Sequence, residues 1–176
     1  MCAEKVHAHT MRVRPMTAAD WPQVAAIYDQ GIVSHKATFA QSAPEYAVWD
    51  AEHHPHTRLV AETADGIITG WVAIAPSFVR TVYNGVAEIS IYIHDAYQHQ
   101  GVGTLLLNAA HEESERNGIW TLEALIFADN EPSLKLFRKC GYQDLGVRKR
   151  LGYDIVLQKW RDVAMLERRS EAPQYR

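Results

Sequence analysis

The chain has 176 residues, enough for one domain with a sizeable core. Its 47% hydrophobic and 22% charged residues, net charge of -3 and pI near 6.3 are ordinary for a soluble globular protein, with no bulk electrostatic reason to hold nucleic acid or an acidic membrane surface. No apolar stretch approaches the roughly 20 residues that cross a bilayer, MCAEKVHAHTM at the N-terminus has no signal-peptide core, and Cys2 and Cys140 suggest no disulfide framework, so the cytoplasm is the simplest compartment.

Residues 1–10 read as a loose tail and 170–176 as another, leaving one domain over 11–169. MRVRPM (11–16) reads as a short strand. Thr17 and Asp20 form a capping box that opens a helix carrying Trp21, Val24, Ile27 and Tyr28 on one face. Ser42 with Glu45 is a second such box, before a helix around 46–51. LVAET (59–63) and IITGWVAIA (67–75) read as strands joined by a hairpin at Ala64-Asp65-Gly66, and 86–93 as a third long strand. A helix from about Gly101 to Arg116 stops at Asn117-Gly118. WTLEALIF (120–127) is another apolar strand. A helix from Glu131 to Lys139 ends at Cys140-Gly141, and YQDLGVRK (142–149) and RDVAMLER (161–168) close the chain as strands. Antiparallel hairpins followed by strand–helix–strand–helix–strand make an α/β sheet with a parallel crossover in its second half.

Two features of the middle of the chain carry chemistry. Gln98, Gly101 and Gly103 form Q-x-x-G-x-G after a strand and at a helix start. There, unpaired N–H groups and the positive end of the helix dipole suit an anion, and glycines admit a bulky one. The plain alternative is a tight turn that binds nothing. A dinucleotide fingerprint would need a glycine where Leu106 stands, and a P-loop needs a lysine this turn lacks. The second feature is Glu88. Alternation puts Glu88, Ser90 and Tyr92 on one face of the strand and Ile89, Ile91 and Ile93 on the other. A carboxylate in a strand interior is costly to bury without a partner. Either it is paired with an arginine or solvated, or its burial has a use.

Other features are discounted. His53-His54-Pro55-His56 fits no zinc spacing and reads as a solvated helix end. Arg148-Lys149-Arg150 and Arg168-Arg169 read as solvated faces or phosphate-rim contacts, Cys140 as buried and inert, and Trp120 as core.

Q-x-x-G-x-G after I-Y-I, then Asn130 and Ser133 before LFRKCGY (136–142), resembles the GNAT superfamily of acetyl-CoA-dependent N-acetyltransferases, over about Arg12 to Arg168. Within it, IYDQGI…ATF (27–39), GWVAIAP (70–76), RTVYNGVAEISIYI (80–93), ADNEPSLKLF (128–137) and WRDV (160–163) look like the phosphinothricin acetyltransferase family. The resemblance implies a single-domain α/β fold, with a mixed sheet of about seven strands splayed between the fourth and fifth and flanked by about four helices. It implies acetyl-CoA as cosubstrate and no metal. Pantetheine would lie against Ile91, Tyr92 and Ile93, and the pyrophosphate on N–H groups of His99, Gln100, Gly101, Val102, Gly103 and Thr104 behind Gln98. Asn130 and Ser133 would stand beside the pantetheine arm.

Glu88 falls where such enzymes keep a catalytic glutamate. An amine attacks a thioester only as free base, so a carboxylate that can take its proton is needed, and burial would suit Glu88 to that. Phe137 stands where the family usually has a tyrosine or histidine proton donor; it also reads as core beside Leu134. Arg80 matches one of two substrate-binding arginines, and Phe78 occupies the other's place. Phe39, Trp71 and Tyr83 are candidate walls with an equal claim to core packing. The implied reaction is direct transfer to the amine of a small amino-acid-like substrate: phosphinothricin, methionine sulfoximine or sulfone, arsinothricin, or an ordinary amino acid. Homodimers are common among such proteins. Two rivals stay open: an acetyltransferase of protein N-termini or lysines, and a non-catalytic acyl-CoA sensor.

Overall fold

In a computed structural model of the protein, residues 11–175 are described; the tail expected at 1–10 lies outside them. Seven strands form one mixed sheet in the order β1-β2-β3-β4-β5-β7-β6. They are β1 (Arg12–Pro15), β2 (Arg58–Glu62), β3 (Ile68–Pro76), β4 (Val86–Ile93), β5 (Thr121–Phe127), β6 (Gln143–Asp154) and β7 (Lys159–Arg169). Four helices flank it: α1 (Trp21–Val33), α2 (Tyr46–Glu52), α3 (Val102–Arg116) and α4 (Glu131–Lys139). Every neighbouring pair is antiparallel except β4 with β5, as expected where α3 carries the chain from one to the other.

That parallel pair is short. Only Val86, Ala87 and Glu88 pair with Thr121, Leu122 and Glu123. Beyond this rung the two strands part, while β4 stays paired to β3 through Ile93 and β5 to β7 through Phe127. The sheet is therefore splayed in its interior.

The alternation read along β4 holds. Ile89, Ile91 and Ile93 pack in the larger core with Leu106, Leu107 and Ala110 of α3 and Leu134 and Phe137 of α4. Tyr92 packs in the second core with Val24, Ile27, Trp49 and Trp71 under α1 and α2. Leu106 and Leu107 are fully buried, each contributing on the order of 1.5–3 kcal/mol by leaving water.

The box at Thr17 and Asp20 forms, over a 3-10 turn that precedes α1. Asp20 is buried, and the Arg14 guanidinium bonded to it at 2.7 and 2.8 Å holds its carboxyl down to about 2. The box expected at Ser42 does not form: Glu45 is the cap of α2, in extended backbone and without a side-chain bond. Trp120 is also not core. It is 39% exposed and lies against the Tyr175 ring. After β7 the chain stays attached through buried Ser170 and the Tyr175 hydroxyl, which donates to the Glu115 carbonyl at 3.1 Å.

Candidate active site

Where β4 and β5 part, a cleft of about 1060 Å³ opens. Its walls are β4 from Glu88 to Ile93, the end of β5, the start of α3, one side of α4 and the loop after α1. Along the parted stretch, one side of β4 has no strand partner, so alternate N–H and C=O groups meet the cleft instead of a ladder.

The turn into α3 closes one end. His99 and Gly101 are both left-handed, with φ of 61° and 86°, and Gly101 caps the helix. The first intrahelical bond of α3 runs from the Leu105 N–H to the Gly101 carbonyl at 3.0 Å. The N–H groups of Val102, Gly103 and Thr104 are thus spare, at the positive end of a 15-residue helix. Gly103 answers a different need from Gly101. A Cβ there would come within 2.6 Å of Leu136 Cδ2, so its bareness lets α4 pack close to α3.

Of the residues the sequence nominated for a cosubstrate, Ile91, Tyr92, Ile93, Gln98, His99, Gly101, Thr104, Asn130 and Ser133 line the cleft. Gln100, Val102 and Gly103 do not. Gln100 donates to the Ala96 carbonyl, and Val102 is buried in the core. Asn130 is occupied with the fold: its Oδ1 caps α4 by accepting from the Ser133 N–H at 3.3 Å, and its Nδ2 donates to the Lys36 carbonyl at 2.8 Å. It ties α4 to the loop after α1.

The nominated acceptor residues separate. Phe39 lines the cleft and meets the Phe127 ring edge-on at 4.8 Å. Trp71 is buried core, stacked on Tyr92 at 4.8 Å. Phe78 and Tyr83 pair at 4.9 Å and line a second cavity of about 270 Å³ with His54 and His56. Arg80 is exposed and caps the 3-10 turn that follows it. The histidine run is half-buried rather than solvated: His53 stacks on Trp49 at 4.3 Å, and burial pushes all three imidazoles down. Among the described residues, no group of three or more His, Cys, Asp or Glu could hold a metal ion.

Glu88 lines the deep end of the cleft. Among the described residues its carboxylate has no hydrogen-bond or ion-pair partner, so the arginine pairing does not occur. Burial, and then the carboxylate of Glu123, push its carboxyl above the ordinary range. Phe137 is 2% exposed, touches the cleft and meets Tyr142 edge-on at 4.8 Å.

Among the cleft residues that escaped the sequence reading are three lysines. Lys36, Lys135 and Lys139 line the cleft, beside Asp95 and Glu131. Lys135 and Lys139 stand four apart on α4, a signal of one shared face. Arg161 braces the wall from behind. It is 4% exposed and donates to the His35 carbonyl, Asp129 and Asp154 at 2.9, 2.8 and 3.2 Å. Its guanidinium lies 3.9 Å over the Phe127 ring.

An interior sheet edge, a spare helix N-terminus, cleft-lining lysines and an unpartnered carboxylate together suit a long ligand with amide groups and phosphates, and a proton transfer at its inner end.

Comparison with known proteins places the chain in a family. The sequence profile of the acetyltransferase (GNAT) family matches residues 21–142. YwnH of Bacillus subtilis, provisionally named a phosphinothricin acetyltransferase, is 37% identical, over 78% of this chain and 86% of its own. The phosphinothricin N-acetyltransferase of Streptomyces viridochromogenes is 28% identical, over 93% and 90%. A solved phosphinothricin acetyltransferase of Sinorhizobium meliloti in complex with acetyl-CoA superposes with a TM-score of 0.81 at 23% identity, covering 95% of this chain and 92% of that one.

Proposed function

Because the chain belongs to the acetyltransferase (GNAT) family, we propose that it transfers acetyl from acetyl-CoA directly to the amine of a small amino-acid-like acceptor, with Glu88 as general base. One observation carries the reading: a half-buried carboxylate without a partner stands at the inner end of a cleft that lysines line and whose other end offers helix N–H groups. The acetyl-CoA complex of the Sinorhizobium protein supports the choice of cosubstrate.

The parted stretch of β4, Ile91 to Ile93, would hold the pantetheine amides. Of the turn into α3, the cleft-lining His99, Gly101 and Thr104 would meet the pyrophosphate through their N–H groups, and Lys36, Lys135 and Lys139 the remaining phosphate charge. Acetyl-CoA supplies an activated acetyl thioester. Glu88 removes a proton from the acceptor's ammonium nitrogen, directly or through one water, and thereby generates the free amine. As the nitrogen bonds the acetyl carbon and the carbon–sulfur bond breaks, the nitrogen sheds its second proton to solvent, and because Phe137 brings no ionisable proton, solvent supplies the one needed at the leaving sulfur.

Phe39 and Phe127 make an apolar wall for the acceptor. Phe78, Arg80 and Tyr83 have a weaker claim to acceptor contact, because the cleft with Glu88 does not include them. The names of the two relatives favour an amino acid with a tetrahedral anionic or polar side-chain head.

A CoA-release assay with acetyl-CoA and a panel of phosphinothricin, methionine sulfoximine, methionine sulfone, arsinothricin and the common amino acids tests this. Release that depends on one of these acceptors is expected. Acetyl-CoA binding without release for any of them would replace the enzyme reading with that of an acyl-CoA sensor.

The same proposal extends to assembly. β6 is an outer strand, with Leu145 and Val147 each 53% exposed, and Trp160 beside it on β7 is 56% exposed. A long sheet edge left in water, with exposed apolar side chains at its start, invites pairing with another chain. A second copy of this chain is the proposed occupant. Sedimentation of the intact protein should then give twice the 19.9 kDa chain mass, and Leu145→Arg should return it to one chain. A single-chain mass at every concentration would dismiss the dimer.

A further inference from the structure

Glu88 has a neighbour of its own charge. The last rung before β4 and β5 part joins Glu88 to Glu123. Partners on adjacent strands send their side chains to the same face, with Cβ atoms about 5 Å apart. The row continues to Glu167 on β7, whose charge is met by Arg169 at 3.0 Å. Among the described residues, Glu88 and Glu123 have no ion-pair partner at all.

Among the described residues, no charge other than that of Glu123 acts on Glu88. β3 offers Ala75 on the same rung. Along β4 the neighbours on that face are Val86, Ser90 and Tyr92. Tyr92 packs against Tyr28 of α1 at 4.8 Å, and burial keeps its hydroxyl protonated. Glu88 lines the cleft, whereas Glu123 stands behind it.

Like charges directly opposite one another destabilise a sheet, and two carboxylates sharing one site push protons onto one of them. A fold that keeps such a pair without a cation gains nothing structural from it. We propose that Glu123 is a positioning residue for the reaction: acting through Glu88, its negative charge makes Glu88 a stronger base toward the acceptor's ammonium group. The proton leaves the acceptor nitrogen and lands on a Glu88 oxygen. The direction and the two causes of the Glu88 shift agree with this, burial first and Glu123 second.

This rests on Glu88 being the base, and the test separates the two ideas. Side-chain carboxyl carbons of the free protein are followed by NMR through a pH titration, with the Glu88 signal identified by its absence in Glu88→Gln. In Glu123→Gln the Glu88 midpoint is expected to fall part of the way toward the ordinary carboxyl range, since burial remains. The acid limb of the kcat/KM profile should move to lower pH by the same interval, with acetyl-CoA affinity unchanged. Glu123→Asp keeps the charge and should keep the midpoint high. An unmoved Glu88 midpoint in Glu123→Gln overturns the proposal. Full turnover in Glu88→Gln would instead remove the base assignment, and the titration would still report whether the carboxylates interact.

Discussion

Glu88→Gln is expected to slow acetyl transfer by about 10²- to 10⁴-fold, the usual worth of a positioned general base, while acetyl-CoA affinity stays unchanged. Gln keeps the shape of the side chain and loses only the ability to take a proton. The same substitution should raise stability. Both causes that act on Glu88, burial and the Glu123 charge, disfavour its ionised form in the fold. A carboxyl whose folded pKa is raised costs nothing below the unfolded pKa, where both states are neutral, and loses stability as pH rises through the folded value. The Gln variant escapes that loss. Its melting temperature should therefore match the parent at pH 4 and exceed it at pH 8. Steady-state rates and melts at these two pH values read both effects. Wild-type turnover would remove Glu88 from the chemistry, and a Gln variant less stable at pH 8 would reveal a stabilising partner for the carboxylate.

Arg161→Met should cost about 3 kcal/mol of folding stability, at the lower end of the 3–5 that follows when a buried ion pair loses one member. The low end applies because the damage is shared unequally. Asp129 is largely exposed, and Asp154 keeps the N–H groups of Val156 and Leu157 as donors at 3.1 and 2.9 Å. What is lost besides charge is the common anchor of three segments: the loop after α1, the loop before α4 and the β6–β7 hairpin. The Phe127 ring also loses the plane that covers it. Denaturant titration measures the effect. Arg161→Lys should recover part of it, since an ammonium reaches fewer acceptors than the guanidinium fork. A loss below about 1 kcal/mol in the Met variant would class Arg161 with surface pairs.

Much of the frame was readable from local signals. β4 and α4 fall where the sequence put them, at Val86–Ile93 and Glu131–Lys139, because strict alternation marks one and Asn130 with Gly141 brackets the other. Glu88 stood out as a carboxylate among isoleucines, and it does line the cleft. The same signal was present at Glu123, inside TLEALIF. It carried no meaning until strand register set the two side by side. Asn130 and Gly103 failed differently. Each satisfies a local rule, while its actual partner, Lys36 in one case and Leu136 in the other, lies far off in sequence. Phe78 and Tyr83 could be recognised as aromatic but not aimed. Which cavity a loop side chain enters depends on packing against His54 and His56, which no period or spacing encodes.

The three-residue seam between β4 and β5 has a further consequence for the solubility of the chain. Sheets normally keep their raw edges on the outside, where short length, charge or a covering element discourages pairing with a stranger. Here two raw edges face each other in the middle of the sheet, along two largely apolar strands. The guard is charge along the cleft: Lys36, Lys135 and Lys139 line it, and lysine is a common gatekeeper at exposed edges. Residues that can greet a phosphate thus also turn away an aggregating strand. Neutralising them to loosen ligand binding would expose the molecule's most adhesive surface.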